Sequence, residues 1–232
     1  MIVAVLLAGG SGSRMGANKP KQFLEVNGKT ILEYTIEAFA DNKNVDEICI
    51  VCKADFVHDV EQIVERHCKE NKDGSLYSKV KRILPGGKER YDSSLAAINA
   101  YQDDDTKLLL HDAVRPLVTQ RIIDDCIQAL DEYNAVDVAI QCTDTIIQVT
   151  EHGTICQTPS RSTLRNVQTP QGFRRGTIRL AYEKALKDPS FQTTDDCGVV
   201  FKYLPETPIK VIDGDVRNIK ITYPNDLLLL QN

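Results

Sequence analysis

The sequence predicts an α/β fold with a mainly parallel β-sheet. Short apolar runs alternate along the chain with segments whose apolar residues recur at helical spacing. Most of these helical segments span about ten or more residues, which is the length of a crossover between parallel strands. Ligand-binding residues in such sheets gather at the carboxyl ends of the strands. We therefore expect the functional residues in the loops that follow the predicted strands.

The amino-terminal part of the chain alternates regularly between strand and helix. Residues 2–7 form a continuous apolar run that ends at a pair of glycines, which is typical of a buried strand entering a loop. The charged segment 55–70 carries its valines and isoleucine on one helical face, as a surface helix does. By these criteria the chain continues, in order, with helix 30–40, strand 46–52, helix 55–70, strand 80–84, helix 89–101, strand 107–110, helix 122–133 and strand 135–141.

The alternation breaks after residue 141. Residues 145–150 and 154–158 are rich in β-forming residues and flank a three-residue turn that contains Gly153, so they predict a hairpin. This hairpin either protrudes as an arm that packs on a second subunit or folds back on its own domain, and the sequence leaves both open. The pattern then predicts helices 175–186 and 195–203, the second capped by Thr194, strands 209–212 and 219–222, and a short helix opened by Pro224.

The composition argues against several classes of protein. With 28 basic and 33 acidic residues the net charge is −5, whereas a general nucleic-acid binder is normally basic. No apolar run approaches the roughly 18 residues that span a bilayer. The apolar start lacks the basic leader and the cleavage site of a signal peptide. We therefore expect neither a nucleic acid nor a membrane as partner.

The seven cysteines are odd in number and scattered in spacing, which argues against a disulfide framework. Cys49 and Cys52 have the spacing of a redox or zinc pair, but they fall in the apolar run 48–52. Buried strand cysteines are the better interpretation. These observations predict a reducing, cytoplasmic setting.

A glycine-rich loop after the first predicted strand is the strongest functional signal. Gly9, Gly10 and Gly12 allow the backbone to approach a ligand closely, and its N–H groups can surround phosphate oxygens. Arg14 offers a planar fork for phosphate, and Lys21 offers a compact charge. The loop lacks the Gly-Lys-Ser/Thr ending of a Walker loop and the third glycine of the dinucleotide fingerprint. It predicts a polyphosphate site, the alternative being a flexible turn with solvated cations.

Two further strand ends carry polar residues. Gly86 and Gly87 precede a helix with hydroxyl groups in its first turn, which suits a base or a phosphate but is also a common strand-to-helix turn. Asp112 ends the next strand, where a carboxylate suits Mg²⁺, because this ion prefers one or two protein oxygens plus substrate phosphates. Alternatively, Asp112 pairs with Arg115. His111 is expected to be a hydrogen-bonded structural residue.

Two late cations, Arg161 and Lys220, are candidate anchors for a second anion. Six segments occur in a fixed order along the chain: residues 7–15, 20–23, 86–90, 111–116, 168–173 and 218–220. Each segment is unspecific by itself, but their combination covers almost the whole chain. Together they resemble a known enzyme family, the CTP-dependent cytidylyltransferases of sugar-alcohol phosphates.

The resemblance implies a single Rossmann-like nucleotidyltransferase domain over residues 1–232, with a mixed, mainly parallel sheet. A protruding β-hairpin arm at about residues 142–160 would reach across a homodimer. Members of this family use Mg²⁺ and transfer CMP from CTP to a polyol phosphate, with release of pyrophosphate. The acceptor's phosphate oxygen attacks the α-phosphorus in line, so catalysis consists of positioning and charge stabilisation.

The resemblance also implies roles for individual residues. Arg14 and Lys21 would stabilise charge on the α-phosphate, and Asp112 would bind the Mg²⁺ that bridges the triphosphate. The nucleotide would contact Ala8, Gly9, Gly10, Ser11, Gly12, Gly86, Arg90, Ser93, Asp112 and Ala113. The acceptor and its phosphate would contact Arg115, Thr145, Arg161, Thr169 and Lys220, some of them carried on the arm.

The resemblance does not identify the acceptor. Gly9 and Cys197 favour a ribitol-phosphate enzyme, whereas the short stretch 16–19 and the segment 161–171 favour a methylerythritol-phosphate enzyme. We expect methylerythritol 4-phosphate, because its pathway is widespread in bacteria, with ribitol 5-phosphate or another small polyol phosphate as the alternative. A non-catalytic nucleotide-binding relative is a remote alternative. A dinucleotide-dependent oxidoreductase is disfavoured, since the second predicted strand ends without an acidic residue.

Overall fold

A seven-stranded sheet runs through the computed structural model, which describes residues 1–10, 19–70 and 75–231. In chain order the strands are β1 (Ile2–Ala8), β2 (Glu25–Val26), β3 (Lys29–Thr30), β4 (Glu47–Cys52), β5 (Val80–Pro85), β6 (Lys107–Asp112), β7 (Ala135–Gln141), β8 (Gln148–Val149), β9 (Ile155–Gln157), β10 (Arg165–Arg174) and β11 (Ile209–Asp213). The main sheet has the order β11-β7-β10-β6-β1-β4-β5. Its neighbours are parallel except at β10, which runs antiparallel to β6 and β7. The predicted mixed, mainly parallel α/β fold is confirmed.

Helices cover both faces of this sheet. In chain order they are α1 (Ile31–Ala40), α2 (Val57–Glu70), α3 (Arg90–Ala100), α4 (Gln120–Glu132), α5 (Arg175–Ala185) and α6 (Asp196–Tyr203), followed by a 3₁₀ helix, Pro224–Leu230. Along β1, Ala4 and Leu6 pack with α1, α2 and α4, whereas Val3 and Val5 pack with α3, α5 and α6. Since both faces of the strand are covered, its sequence is a continuous apolar run rather than an alternating one.

Strand β10 is absent from the sequence-based prediction. Its central residues 168–172 are polar or turn-forming in character, yet all of them are buried. Pro170, which has no N–H to donate, lies where the pairing with β7 is interrupted. A Cβ on Gly172 would lie 2.6 Å from the Cγ2 of Val136, so a side chain there would displace β7. Position in the sheet interior outweighs local propensity here.

The structure corrects two further predictions and confirms a third. Residues 219–222 are not a strand; Ile221 donates its N–H to the carbonyl of Val114 at 2.8 Å, and this bond ties a loop to the site described below. Asp195, rather than Thr194, caps α6, because its carboxylate accepts a backbone N–H of the first turn. The predicted hairpin is present as β8 and β9, shorter than expected, with Gly153 at φ 76° in its turn.

The two cysteines of β4 are buried on opposite faces of the sheet, so the interpretation of Cys49 and Cys52 as core residues is confirmed. All seven cysteines are unpaired thiols. In the part of the chain that the structure describes, no helix has the length and apolar character needed to cross a membrane.

Candidate active site

A cleft of about 380 Å³ opens at the carboxyl ends of β1, β4, β5 and β6. The strands are parallel, so the loops that follow them meet at the same edge of the sheet. The wall of the cleft combines glycine backbone with cationic and hydroxyl side chains. It is lined by Leu7, Gly9, Gly10, Lys21, Gln22, Lys53, Gly87, Lys88, Glu89, Arg90, Ser93, Asp112, Val114, Lys220 and Thr222.

The two glycine segments converge on one hydroxyl group. A Cβ on Gly86 would lie 2.4 Å from the Oγ of Ser93, and a Cβ on Gly9 would lie 3.1 Å from the same atom. Ser93 belongs to the first turn of α3, where backbone N–H groups lack partners within the helix. The absence of side chains therefore lets the backbone of both loops approach a ligand together with this helix start.

Gln22 connects the first glycine loop to the segment that carries Lys21. Its Nε2 donates to the carbonyls of Ala8 at 2.5 Å and of Gly10 at 3.2 Å. Lys21 is 8% exposed, and its Nζ donates to the carbonyl of Ile221 at 2.8 Å. The ammonium group of Lys21 is thus held at the cleft wall by its surroundings.

Arg90 is held from behind by a fully buried carboxylate. Its Nη1 donates to Oδ2 of Asp196 at 2.5 Å, and the hydroxyl of Tyr182 donates to Oδ1 of the same residue at 2.6 Å. Burial and the neighbouring carboxylate raise the pKa of Tyr182 far above its usual range, so this hydroxyl remains a donor. The guanidinium group of Arg90 is thereby fixed at the wall of the cleft.

Asp112 stands among three cations. Its Oδ2 lies 2.8 Å from Nζ of Lys220 and 3.7 Å from Nε of Arg115, and its Oδ1 lies 3.6 Å from Nε of Arg90. Burial alone raises the pKa of the Asp112 carboxyl, but these cations outweigh burial and hold the pKa well below its usual range. The carboxylate is therefore charged at neutral pH. Together with the Asp196 carboxylate that pairs with Arg90, it leaves the three cations with an excess of one positive charge.

The neighbouring His111 is fully buried beneath Asp112. Its Nε2 lies 3.0 Å from the carbonyl of Arg115, and its Nδ1 lies 3.1 Å from the hydroxyl oxygen of Thr169. The same hydroxyl oxygen accepts the backbone N–H of Asp112 at 3.1 Å. Burial lowers the pKa of His111 to about 4, so the imidazole is neutral at pH 7. His111 is thus hydrogen-bonded through both ring nitrogens, as the sequence predicted.

A second cleft of about 350 Å³ adjoins the first and shares Arg90, Asp112 and Lys220 with it. Arg115 and Thr169, both predicted to contact the acceptor, line this second cleft. Two adjoining clefts with shared cations suit two anionic ligands that meet between them.

Five predicted site residues in the described part of the chain do not line either cleft: Ala8, Gly86, Ala113, Thr145 and Arg161. Thr145 and Arg161 lie exposed on the hairpin side of the chain, where Nη1 of Arg161 donates to the carbonyl of Thr143 at 3.0 Å. Ala113 is fully buried, and both of its backbone groups are hydrogen-bonded, so it supports the cleft wall from behind. The predicted residues Ser11, Gly12 and Arg14 lie outside the described residues.

Sequence reasoning assigned no role to Gln171 in the site. Its Nε2 donates to Asp137 at 3.0 Å and to Asp195 at 2.7 Å, and its Oε1 accepts the N–H of Asp196 at 3.0 Å. Burial raises the pKa of Asp137 to about 6. The sequence signal for this network is the acidic pair at the start of α6, which we had assigned to helix capping alone. Lys53, at the end of β4, lines the first cleft and was also missed.

The residues of the first cleft fit Mg²⁺ only together with oxygens of a bound ligand. Among the described residues, no group of three or more His, Cys, Asp or Glu side chains could hold a metal ion. Oδ1 of Asp112 is the oxygen best able to contact a cation, because Lys220 already contacts Oδ2. One carboxylate oxygen plus phosphate oxygens is a donor set that Mg²⁺ accepts.

Comparison with known proteins identifies the family. The family model described as "2-C-methyl-D-erythritol 4-phosphate cytidylyltransferase" (IspD) matches residues 2–232. An enzyme of that name from Thermobifida fusca (strain YX) is 46% identical over 236 residues, which cover 99% of this chain and 92% of the relative. The bifunctional ribulose 5-phosphate reductase/CDP-ribitol pyrophosphorylase Bcs1 of Haemophilus influenzae is 45% identical over 230 residues, which cover 98% of this chain and 47% of the relative.

Solved structures agree with this match. A 4-diphosphocytidyl-2C-methyl-D-erythritol synthase from Anaerococcus prevotii superimposes with a TM-score of 0.84 at 31% identity, covering 100% of this chain and 94% of the other. A 2-C-methyl-D-erythritol 4-phosphate cytidylyltransferase from Thermus thermophilus superimposes with a TM-score of 0.73 at 26% identity, covering 100% and 98%. The similarity thus extends over the whole fold.

Proposed function

The chain belongs to the 2-C-methyl-D-erythritol 4-phosphate cytidylyltransferase family and is a cytidylyltransferase, and from this premise we propose its acceptor, its metal and its assembly. We propose that it transfers CMP from CTP to 2-C-methyl-D-erythritol 4-phosphate. The observation that carries the proposal is the family match over residues 2–232, together with a 46% identical relative of that name.

The chemistry requires charge stabilisation rather than a strong base. A phosphate oxygen of the acceptor attacks the α-phosphorus of CTP, the bond between the α-phosphorus and the bridging oxygen breaks, and pyrophosphate leaves with the electron pair. A phosphate monoester is already a competent nucleophile. Lys21, together with Arg14 outside the described residues, stabilises the negative charge that develops on the α-phosphate.

The nucleotide occupies the first cleft. The backbone from Ala8 to Gly10 and the Gly86 segment surround it, with Ser93 and Arg90 on the side of α3. Mg²⁺, held by Oδ1 of Asp112 and by phosphate oxygens, would neutralise part of the triphosphate charge. The convergence of both glycine segments on Ser93 supports this assignment.

The acceptor occupies the second cleft, between Thr169 and the cations Arg115 and Lys220. Thr145 and Arg161 on the hairpin arm complete the acceptor site of a second subunit. Their exposure and their absence from the lining of both clefts of their own chain support this proposal. So do the exposed apolar residues of the arm, which are Ile146, Ile147, Val149 and Ile155.

The arm therefore implies a homodimer. Sedimentation over a range of protein concentrations measures the assembly, and a monomer at every concentration would contradict the role of the arm.

A reducing, cytoplasmic setting is part of the same proposal, and seven unpaired cysteines are consistent with it.

Ribitol 5-phosphate is the second candidate acceptor. The observation that favours it is the 45% identity to the Haemophilus influenzae CDP-ribitol pyrophosphorylase, over 98% of this chain. Both acceptors present a phosphate on a short polyol chain, so the same site chemistry serves either one.

Pyrophosphate release from CTP and Mg²⁺ tests the proposal, with methylerythritol 4-phosphate and ribitol 5-phosphate offered in parallel. We expect rapid release with methylerythritol 4-phosphate. Rapid release with ribitol 5-phosphate alone would replace the proposed acceptor by the second candidate. Release with neither acceptor, although CTP binds, would exclude both. Omission of Mg²⁺ is the control for the metal, and we expect it to abolish release.

A further inference from the structure

Segment 214–222 follows the last strand of the sheet and carries Lys220, which lines both clefts. Its backbone is irregular, with neither helix nor strand in it. The side chain of Lys220 is 42% exposed and has a flexible stem. The position of its ammonium group therefore depends on where this backbone is held.

Asn218 attaches the segment to β10. It is fully buried, and its Nδ2 donates to the carbonyl of Thr169 at 2.8 Å and to Oε1 of Gln168 at 3.2 Å. Because the carbonyl of Thr169 can only accept, the amide nitrogen of Asn218 must face β10. Gln168 in turn donates from Nε2 to the carbonyl of Asp215 at 2.9 Å, which leaves its Oε1 facing Asn218. Backbone carbonyls thus fix the direction of every hydrogen bond in this contact.

The same segment holds two further cations of the site through its backbone. The carbonyl of Asn218 accepts Nη1 of Arg115 at 2.7 Å. The carbonyl of Ile221 accepts Nζ of Lys21 at 2.8 Å. A shift of this backbone would therefore displace cations of both clefts together.

The second polar atom of the Asn218 side chain indicates that the residue does more than fill space. Its Oδ1 is buried without a hydrogen-bond partner among the described residues. A buried oxygen without a partner costs stability, and an apolar side chain of similar size would avoid that cost. The two hydrogen bonds from Nδ2 are what an apolar side chain could not supply.

We propose that Asn218 is a positioning residue, which fastens segment 214–222 to β10 and thereby places Lys220 for the phosphate of the acceptor. This inference rests on the proposed function and refines it, because Asn218 lines neither cleft and acts on the acceptor through Lys220. The nucleotide retains the glycine segments and Arg90 when Asn218 is replaced. Loss of Asn218 should therefore weaken the use of the acceptor more than the binding of CTP.

The test compares Asn218→Ala with Asn42→Ala as the matched control. Asn42 is also a buried asparagine whose Nδ2 donates to two side-chain oxygens, at 2.9 Å each, but it lines neither cleft. We expect Asn218→Ala to lower kcat/KM for the acceptor by about tenfold, with the Kd for CTP within about threefold of the parent. Asn42→Ala should leave both values within about twofold. Equal losses in the two variants, or an unchanged kcat/KM in Asn218→Ala, would overturn the proposal.

A double-mutant cycle with Lys220→Met tests whether Asn218 acts through Lys220. We expect Asn218→Ala to cost about tenfold in the parent but less than about threefold in the Lys220→Met background, because a displaced ammonium group has little left to lose. A tenfold loss in both backgrounds would refute the positioning role. If Asn218→Ala does not fold, Gln168→Met replaces it in the cycle, since it removes only the anchor at Asp215 and one of the two acceptors of Asn218. We then expect a loss of about threefold in the parent and none in the Lys220→Met background, and equal losses would refute the role.

Inorganic phosphate provides a measurement that does not depend on turnover. Its affinity in the presence of CTP, measured by calorimetric titration, should fall about tenfold in Asn218→Ala and stay within about twofold in Asn42→Ala. An equal affinity for phosphate in the parent and in Asn218→Ala would overturn the proposal. Lack of pyrophosphate release by the unmodified protein with either acceptor would refute the proposed function instead, while phosphate binding still decides the role of Asn218.

Discussion

Replacing Asp196 by Asn tests whether Arg90 must be held in place to bind the nucleotide, because the substitution leaves Arg90 itself unchanged. The substitution keeps the size of the side chain and one oxygen that can accept the hydroxyl of Tyr182, but it removes the charge that faces Nη1 of Arg90. Asp196 is fully buried, whereas the side chain of Arg90 is 29% exposed. Breaking a buried ion pair by removing one partner costs about 3–5 kcal/mol. We expect the lower end, about 3 kcal/mol, because water reaches Arg90.

Urea unfolding measures the loss of stability, and calorimetric titration measures the affinity for CTP. Tyr182→Phe is the matched control, since it removes one hydrogen bond to the same carboxylate and leaves the Arg90 pair intact. We expect Asp196→Asn to weaken CTP binding by about tenfold and Tyr182→Phe by less than about threefold. An unfolding free energy within about 1 kcal/mol of the parent, with unchanged CTP affinity, would show that Asp196 does not hold Arg90 for the nucleotide.

Three further predictions concern the proposed catalytic cation, the arm and a half-buried acid. Lys21→Ala should lower kcat by about 10²- to 10³-fold, because it removes charge stabilisation in the transition state. Lys19→Ala, at an exposed position of the same segment, is the control and should leave kcat unchanged. Steady-state pyrophosphate release measures both variants. Arg161→Ala should raise the acceptor KM by about tenfold and leave the KM for CTP unchanged. Arg165→Ala, at another exposed position, is the control. If Arg161→Ala changed neither the acceptor KM nor kcat, the acceptor role of Arg161 would be wrong. Burial raises the pKa of Asp137 to about 6, above the usual value of about 3.9. Between these two pH values the folded state binds more protons than the unfolded state. The free energy of unfolding therefore falls as the pH rises from about 4 to about 6. Asp137→Asn should remove this decline and stabilise the protein at pH 7, as urea unfolding at several pH values will measure; a decline equal to that of the parent would exclude Asp137 as its cause.

The regular part of the fold was predictable because its signals are local. Continuous apolar runs and helical spacing come from residues a few positions apart, so β1, β4, β5, β6 and β7 and the helices between them matched the prediction closely. Strand β10 was not predictable on these grounds. Most of its residues are polar, and they include a proline and a glycine, so only pairing between β6 and β7 makes this segment a strand.

The candidate site was predictable in kind but not in arrangement. The glycine segments and Asp112 were identified because strand ends of a parallel sheet share one edge. Lys21 and Lys220 were identified as cations that suit anionic ligands. Gln171 and Asp196 were missed, since each acts by holding another residue. A residue of that kind has no signal in the sequence beyond its polarity, and its partner lies more than twenty positions away.

The sequence by itself determined the fold class and the types of chemistry available: phosphate-binding backbone, cations and one carboxylate at the strand ends. The tertiary structure decided how these groups share their charges and protons. It surrounded Asp112 with three cations from distant segments and buried His111 beneath it. The physical reason is that charge state and hydrogen-bond direction depend on burial and on neighbours across the chain, and packing alone brings those neighbours together.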